Sequence, residues 1–377
     1  MIKPNIYMDN NSTTKVDDLV LEAMLPYFTE KYGNSSSKQH SFGWIAEEAV
    51  NKSRNQVAAL LNCEAEEIIF TSGATESINM ALIGIFNAYK TKGNEIITTT
   101  TEHPAVLATC KHLENEGAIV HYLNPDKNGI INPELIKSVI SDKTILVCII
   151  LANNETGVIQ PIYEISKIVH SLNSILFSDA TQAIGKIPID VKALGIDVLC
   201  LSAHKFYGPK GIGAIYKRRK NPRVAIKPIM FGGGQENDLR SGTLNIPGIV
   251  GLGQAAEIVK NEMSLNYDKT NYLRENLEKE LLILGGKING KSSQRLPNTI
   301  SFTFNNFTAE KFIKKTKSFL AVSTGSACAS TKQGISHVLK VMGVSEEEAK
   351  STIRFSLGKN NTIEEINYLI EQLNAEN

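Results

Sequence analysis

The sequence predicts an α/β protein: a mostly parallel seven-stranded sheet in a large domain, with a small α+β domain attached. Three observations carry this. From about residue 55 to 216, short apolar runs alternate with segments of helical periodicity, the pattern of a parallel sheet covered on both faces. After about residue 245 the texture changes to one long amphipathic segment followed by shorter elements. The length, 377 residues, suits two domains.

The strands read in order as 68–71, 95–98, 119–123, 145–151, 175–178, 198–202 and 213–216, with helices at 76–89, 105–116 and 162–172 between them. The loop between the last two strands is too short for a helical crossover, so the seventh strand is expected to run antiparallel. Further on, 255–284 reads as a long helix with Leu273, Leu277, Leu281 and Leu284 on one stripe, ended by Gly285-Gly286. Strands at 299–304 and 321–323 and helices near 335–342 and 362–374 complete the small domain.

Composition excludes several classes. Lys and Arg number 40 against 39 Asp and Glu, so no basic excess marks a nucleic-acid binder. Hydrophobic residues at 42% are enough to offset the chain entropy of folding, which argues against disorder. The five cysteines, Cys63, Cys110, Cys148, Cys200 and Cys328, are odd in number and contain no C-x-x-C pair. A disulfide scaffold and a cysteine-rich metal module are therefore poor readings, and no metal is expected. The N-terminus lacks the apolar core of a signal peptide, and the longest apolar run, 145–152, is far short of the ~18 residues of a membrane span. A cytoplasmic protein with reduced thiols is expected.

Ligands of open α/β sheets bind beyond the carboxyl ends of the strands. After 68–71 comes Ser72-Gly73-Ala74-Thr75-Glu76, small residues opening a helix, which suits a phosphate. After 95–98 comes Thr101-Glu102-His103-Pro104, and after 145–151 comes Asn153-Asn154-Glu155. Asp179-Ala180-Thr181-Gln182 and Ala203-His204-Lys205 close the next two strands, and the 26 residues from Asp179 to Lys205 read as one strand–helix–strand unit, so a helix is expected between these strands. Taken singly, each has a bland reading: a capped helix start, a structural histidine, turn-forming amides, a surface lysine. Taken together, a phosphate cup, a histidine, an acid and a lysine close successive strands of one sheet. That set matches the needs of pyridoxal phosphate (PLP): an amine for its aldehyde, an acid for its ring nitrogen and a cup for its phosphate. At ~4 Å and an effective dielectric near 20, a carboxylate and a pyridinium attract by roughly 4 kcal/mol, enough to keep the ring protonated. Gly232-Gly233-Gly234 neither follows an apolar strand nor opens a helix as a dinucleotide fingerprint does, and no G-x-x-x-x-G-K-[ST] is present.

The chain resembles the cysteine desulfurases of the NifS/IscS type, within the class V aminotransferases of fold-type I. The resemblance spans almost the whole length. Its motifs are Asp9-Asn10-Asn11-Ser12-Thr13-Thr14, Tyr32-Gly33-Asn34-Ser35, Thr71-Ser72-Gly73-Ala74-Thr75-Glu76, Thr101-Glu102-His103 and Asn153-Asn154-Glu155. They continue with Asp179-Ala180-Thr181-Gln182, Ser202-Ala203-His204-Lys205, Arg240-Ser241-Gly242-Thr243, Gly325-Ser326-Ala327-Cys328 and Ile353-Arg354-Phe355-Ser356.

The resemblance implies a role at each position. Lys205 carries PLP as a Schiff base, Asp179 pairs with the ring nitrogen and Gln182 with the ring hydroxyl. His103 stacks on the ring and helps move protons. Ala74, Thr75, Ser202 and His204 hold the phosphate, and Thr243 reaches the phosphate of the other subunit of a homodimer. Asn154 and Arg354 grip the carboxylate of L-cysteine, the guanidinium as a bidentate fork. Lys205 takes the Cα proton, and Cys328 attacks the substrate sulfur, leaving a persulfide and L-alanine. The implied domains are 15–255, and 1–14 with 256–377, the second carrying the Cys328 loop.

The residues agree on Cys328. It sits in a run of small residues that cannot pack a core, whereas the other four cysteines lie in or near apolar or helical segments. An ordinary thiol is only about 3% thiolate at pH 7, so the site must remove its proton or lower its pKa. A selenocysteine lyase or another class V lyase, and an inactive PLP-binding scaffold, are the alternatives. The chain stops at Asn377, where IscS-type members carry a further tail that helps dock the iron–sulfur scaffold. The sulfur-acceptor protein stays open between iron–sulfur assembly, tRNA thiolation and DNA phosphorothioation, with no direct nucleic-acid binding and no membrane contact expected.

Overall fold

The computed structural model describes residues 5–324 and 335–374. Its strands are β1 (Ile6–Tyr7), β2 (Ile68–Thr71), β3 (Glu95–Thr99), β4 (Ile119–Leu123), β5 (Thr144–Cys148), β6 (Ile175–Asp179), β7 (Val198–Ser202) and β8 (Gly213–Lys217), then β9 (Gly286–Ile288), β10 (Thr299–Phe304), β11 (Leu320–Ala321) and β12 (Thr352–Ser356).

Seven of them form one sheet in the order β2-β8-β7-β6-β5-β3-β4. The expected antiparallel strand is β8, which runs against both β7 and β2, and the other pairings are parallel. All strands but β8 therefore end on one edge, which is what gathers the motifs. Because successive side chains point to opposite faces, the strands feed two cores. On one face Phe70, Val147, Leu176, Leu199 and Tyr216 pack with residues of the Ser41–Leu61, Ile162–Ser171 and Ile246–Ile283 helices. On the other, Ile69, Leu146, Phe177 and Cys200 pack with residues of the Ala74–Tyr89 and Pro104–Asn115 helices.

A third core lies apart, around a three-stranded sheet in the order β12-β10-β9 and the parallel pair β1-β11. The leucine stripe predicted from the sequence lands here: Leu273, Leu277 and Leu281 are buried against Phe302, Phe355 and Leu369, with Leu284 packed at the margin. N-terminal residues Ile6 and Met8 belong to this core too.

The structure differs from the sequence reading in several places. The long helix starts at Ile246, where the Asn245 side chain caps Gly248 N–H and Pro247 occupies the first turn. Helix Ser41–Leu61 is not predicted, because much of its buried face is Gly43, Ala46, Ala49, Ser53 and Ala58, small residues that give little hydrophobic periodicity. β9 is only three residues long and β12 alternates Thr352, Arg354 and Ser356 with Ile353 and Phe355, so neither gives a continuous apolar run. The 180–197 connection between β6 and β7 contains turns instead of the expected helix, broken by Gly185, Pro188 and Gly195. Among the described residues no helix is long and apolar enough to cross a membrane.

Candidate active site

A cavity of about 480 Å³ opens at the carboxyl edge of the large sheet. It is lined by Ala74 and Thr75 after β2, His103 after β3, Asn154 after β5, Asp179 and Gln182 at the end of β6, and Ser202, His204 and Lys205 at the end of β7. Arg354 closes it from β12. Ten of the twelve predicted site residues thus share one cavity. Thr243 is exposed and does not line it. Cys328 lies outside the described residues.

The Ala74–Tyr89 helix begins at Gly73 with no side-chain cap, so its first N–H groups are left for an anion. Gly213, opening β8, lets the backbone come this close: a Cβ there would sit 2.7 Å from Gly73 Cα and 2.5 Å from the Leu201 carbonyl oxygen. His204 Nδ1 lies 3.1 Å from Thr13 Oγ1, and burial, aided by the charges of Lys205 and Lys210, pushes its pKa down to about 4. It is therefore neutral at pH 7, and a neutral imidazole keeps one ring N–H that can donate a hydrogen bond. In the first turn of the same helix, Glu76 accepts from Arg240 Nε at 2.7 Å, tying the Arg240-Ser241-Gly242-Thr243 segment to the cup.

At the centre, Lys205 Nζ donates to the carbonyl oxygens of Asn11 at 2.7 Å and Ser12 at 2.8 Å. Gln182 Nε2 donates to the same Asn11 oxygen at 2.8 Å. An amine and an amide N–H converge on one acceptor. Asp179 is buried, its Oδ1 taking the Thr181 N–H at 2.9 Å. His103 caps the Pro104–Asn115 helix, its Nδ1 accepting from Ala105 N–H at 3.1 Å, and burial lowers its pKa. Nδ1 being an acceptor there, any ring proton sits on Nε2, free of the cap.

Arg354 donates to Asp9 Oδ1 and Ser12 Oγ, each at 2.8 Å, and to the Asn154 carbonyl at 3.0 Å. Its buried Nε has no hydrogen-bond partner among the described residues. A buried donor without an acceptor costs about 1–3 kcal/mol.

Sequence reasoning assigned no role to Asn11, Ser12 and Asp9, although the Asp9–Thr14 motif was the signal that could have found them. It also passed over two buried acids. Glu102 has its pKa raised to about 8, by burial first, and Glu155, bonded to Ser336 Oγ at 2.5 Å, is raised to about 7, again by burial first. The four cysteines read as packing residues are free thiols with raised pKa values, Cys110, Cys148 and Cys200 buried and Cys63 partly so.

Residues 6–369 match the model of the class-V aminotransferases. The chain belongs to that family. A cysteine desulfurase IscS of Anaeromyxobacter sp. (strain K) is 48% identical over 373 residues, 98% of this chain and 91% of that one. Among solved structures, a NifS-like protein superposes with a TM-score of 0.91 at 40% identity, covering 99% of both chains. SspA in complex with cysteine gives a TM-score of 0.84 at 35% identity, over 95% of this chain and all of that one. The fold is the fold-type I arrangement of the NifS-like enzymes, and this class-V aminotransferase takes PLP as its cofactor.

The cavity fits that cofactor on its own geometry. The ring hydroxyl of PLP lies next to its aldehyde carbon, so an amine for the aldehyde and a donor for the hydroxyl must meet at nearly one point. Lys205 Nζ and Gln182 Nε2 do so. The uncapped helix start supplies the phosphate end, and Asp179 the acid.

Proposed function

We propose a division of labour for these residues in the reaction of a PLP-dependent cysteine desulfurase. The protein is an enzyme of that kind: L-cysteine is converted to L-alanine and its sulfur passes on. When bound, PLP would supply an aldehyde for the substrate amine and a ring that accepts the electrons released at Cα.

The N–H groups of Ala74 and Thr75, with Ser202 and neutral His204, bind the phosphate, joined by Thr243 of the partner subunit. Asp179 would hold a proton on the ring nitrogen, Gln182 would donate to the ring hydroxyl, and His103 would sit at the ring with Nε2 available to carry a proton. Lys205 would anchor the cofactor through its amine and, with that amine free, would take the proton from the substrate Cα. Arg354 and Asn154, both lining the cavity, would hold the substrate carboxylate. Cys328 then attacks the substrate sulfur: the Cβ–S bond breaks, an S–S bond forms on Cys328, and protons return to the carbons to give alanine. The convergence of Lys205 and Gln182 on one oxygen carries this reading.

The choice of Cys328 is supported by elimination, since burial raises the thiol pKa of the other four cysteines. A homodimer is supported by an exposed apolar stretch, Leu19, Leu21, Leu25, Phe28, Tyr32, Phe42 and Trp44, each at least 45% exposed. The two-domain division at 15–255, with 1–14 joining 256–377, is supported by the separate third core that includes Met8. We place the enzyme in the cytoplasm, passing sulfur to an acceptor protein. Neither the selenocysteine lyase nor the inactive scaffold gains a supporting observation.

The test is to add L-cysteine to the PLP-loaded protein. Alanine and a protein persulfide are expected from the wild type, while Cys328→Ala keeps the visible cofactor band and makes no alanine. Full alanine turnover by that variant would overturn the nucleophile assignment.

A further inference from the structure

Lys186 takes no part in the scheme above, yet its amine lies against the site. After Asp179 the chain turns tightly, with Ala183 and Ile184 N–H bonded to the Ala180 carbonyl at 2.9 and 3.0 Å. This sets Lys186 one turn beyond Gln182. Gly185 makes the turn possible: its φ is +74°, and a Cβ there would meet Phe206 Cβ at 2.9 Å.

Lys186 Nζ donates to Gln182 Oε1 at 2.7 Å and to Asn11 Oδ1 at 3.2 Å. Asn11 is fixed in turn, its Nδ2 donating to Thr299 Oγ1 at 2.9 Å and to the Asn154 carbonyl at 3.2 Å. Burial first, and then the charges of Lys205 and Arg354, lower the Lys186 pKa well below the usual range. Charged or neutral, the amine brings at least two hydrogens, one for each of these oxygens. The Gln182 atom that faces it is the oxygen, and the Gln182 NH₂ group turns the other way, to the point it shares with Lys205 Nζ.

We propose that Lys186 is a positioning residue that locks the Gln182 amide with its NH₂ group toward the ring hydroxyl of PLP. Without it only the Asn11 carbonyl, which accepts from Gln182 Nε2 at 2.8 Å, holds the amide, and an amide that turned over would set an oxygen lone pair against the hydroxyl oxygen. The proposal rests on the placement of Gln182 at the ring.

The experiment strips the full chain of PLP and measures rebinding of PLP by Lys186→Met, Lys186→Gln, Gln182→Ala and the Lys186→Met, Gln182→Ala double variant. Lys186→Met and Gln182→Ala are each expected to weaken binding about tenfold, with the double variant no worse than the weaker-binding single one. Lys186→Gln keeps a donor and restores most of the affinity, which also covers the case of a Met variant that folds poorly. In Lys186→Met the pH midpoint of the bound cofactor's visible band moves upward, because the hydroxyl oxygen loses a donor. Losses that multiply in the double variant would overturn the proposal, as would a Lys186→Met protein with wild-type affinity and midpoint beside an impaired Gln182→Ala. Wild-type binding by Gln182→Ala would instead overturn the placement of Gln182 itself, and this proposal with it.

Discussion

Arg354 and Asp9 meet at 2.8 Å although 345 residues separate them in the chain. Asp9 follows β1 and Arg354 sits in the middle of β12, and an Asp9–Ser356 bridge holds the two segments side by side. The acid steadies the guanidinium from one side, with Ser12 and the Asn154 carbonyl, and leaves Nε unbonded among the described residues. A lysine cannot reproduce a fork held this way. Arg354→Lys is expected to cost roughly 2–4 kcal/mol of substrate carboxylate binding, about 30- to 1,000-fold in kcat/KM for cysteine. Steady-state kinetics check this, and a loss below threefold would remove Arg354 from the carboxylate site.

Thr243 is exposed on a segment tied to the phosphate cup through Arg240 and Glu76. If it serves the partner's site, two inactive variants rescue one another. Mixed dimers of Lys205→Ala with Thr243→Asp contain one intact site, because the Lys205 subunit receives an unaltered Thr243 from its partner. Coexpressed, differently tagged chains should recover measurable desulfurase activity absent from either homodimer. No recovery from a purified mixed dimer would place Thr243 outside the shared site.

Glu102 and Glu155 make stability depend on pH. Burial raises their folded pKa values to about 8 and about 7, from an ordinary 4.5. Between the ordinary and the raised value, the folded protein keeps a proton that the unfolded chain has released. Stability therefore falls as pH rises through about 4.5 to 8 and flattens above. Glu102→Gln, which stays neutral, should remove up to about 1.4 kcal/mol per pH unit of that slope, the limit for one proton. Urea midpoints measured from pH 5 to 8.5 on both proteins decide it, and parallel curves would show that Glu102 is not protonated in the fold.

The remaining thiols give a fourth test. Cys110, Cys148 and Cys200 are buried, and Cys63 has a pKa raised to about 12, chiefly by burial. Under native conditions at pH 7.5, iodoacetamide should modify one thiol per chain quickly, and Cys328→Ala should lose that fast phase. Peptide mapping identifies the thiol. Fast labelling at Cys63 would contradict its high pKa.

Much of the site is legible in the sequence because of one geometric fact. In a parallel sheet the carboxyl ends of the strands share an edge, so residues following successive apolar runs become neighbours. His103, Asp179 and Lys205 are found this way without any knowledge of their contacts. Arg354 is not, because β12 belongs to the other sheet and only the resemblance to a family pointed to it. Lys186 was invisible for a different reason: the sequence reading expected a helix between β6 and β7, whereas a glycine-broken turn sets its amine against Gln182.

The sequence by itself determined the alternation of strand and helix, the antiparallel β8, the chemistry standing at each strand end, and which cysteine is unsuited to a core. These follow from local periodicity and residue type. Only the tertiary structure decided that the Asp9–Thr14 segment enters the cavity, that Lys205 and Gln182 share one oxygen, and that Asp9 and Lys186 hold the residues that do the binding. Those contacts join segments up to 345 residues apart, or depend on a turn, and no local pattern encodes a meeting that chain packing alone brings about.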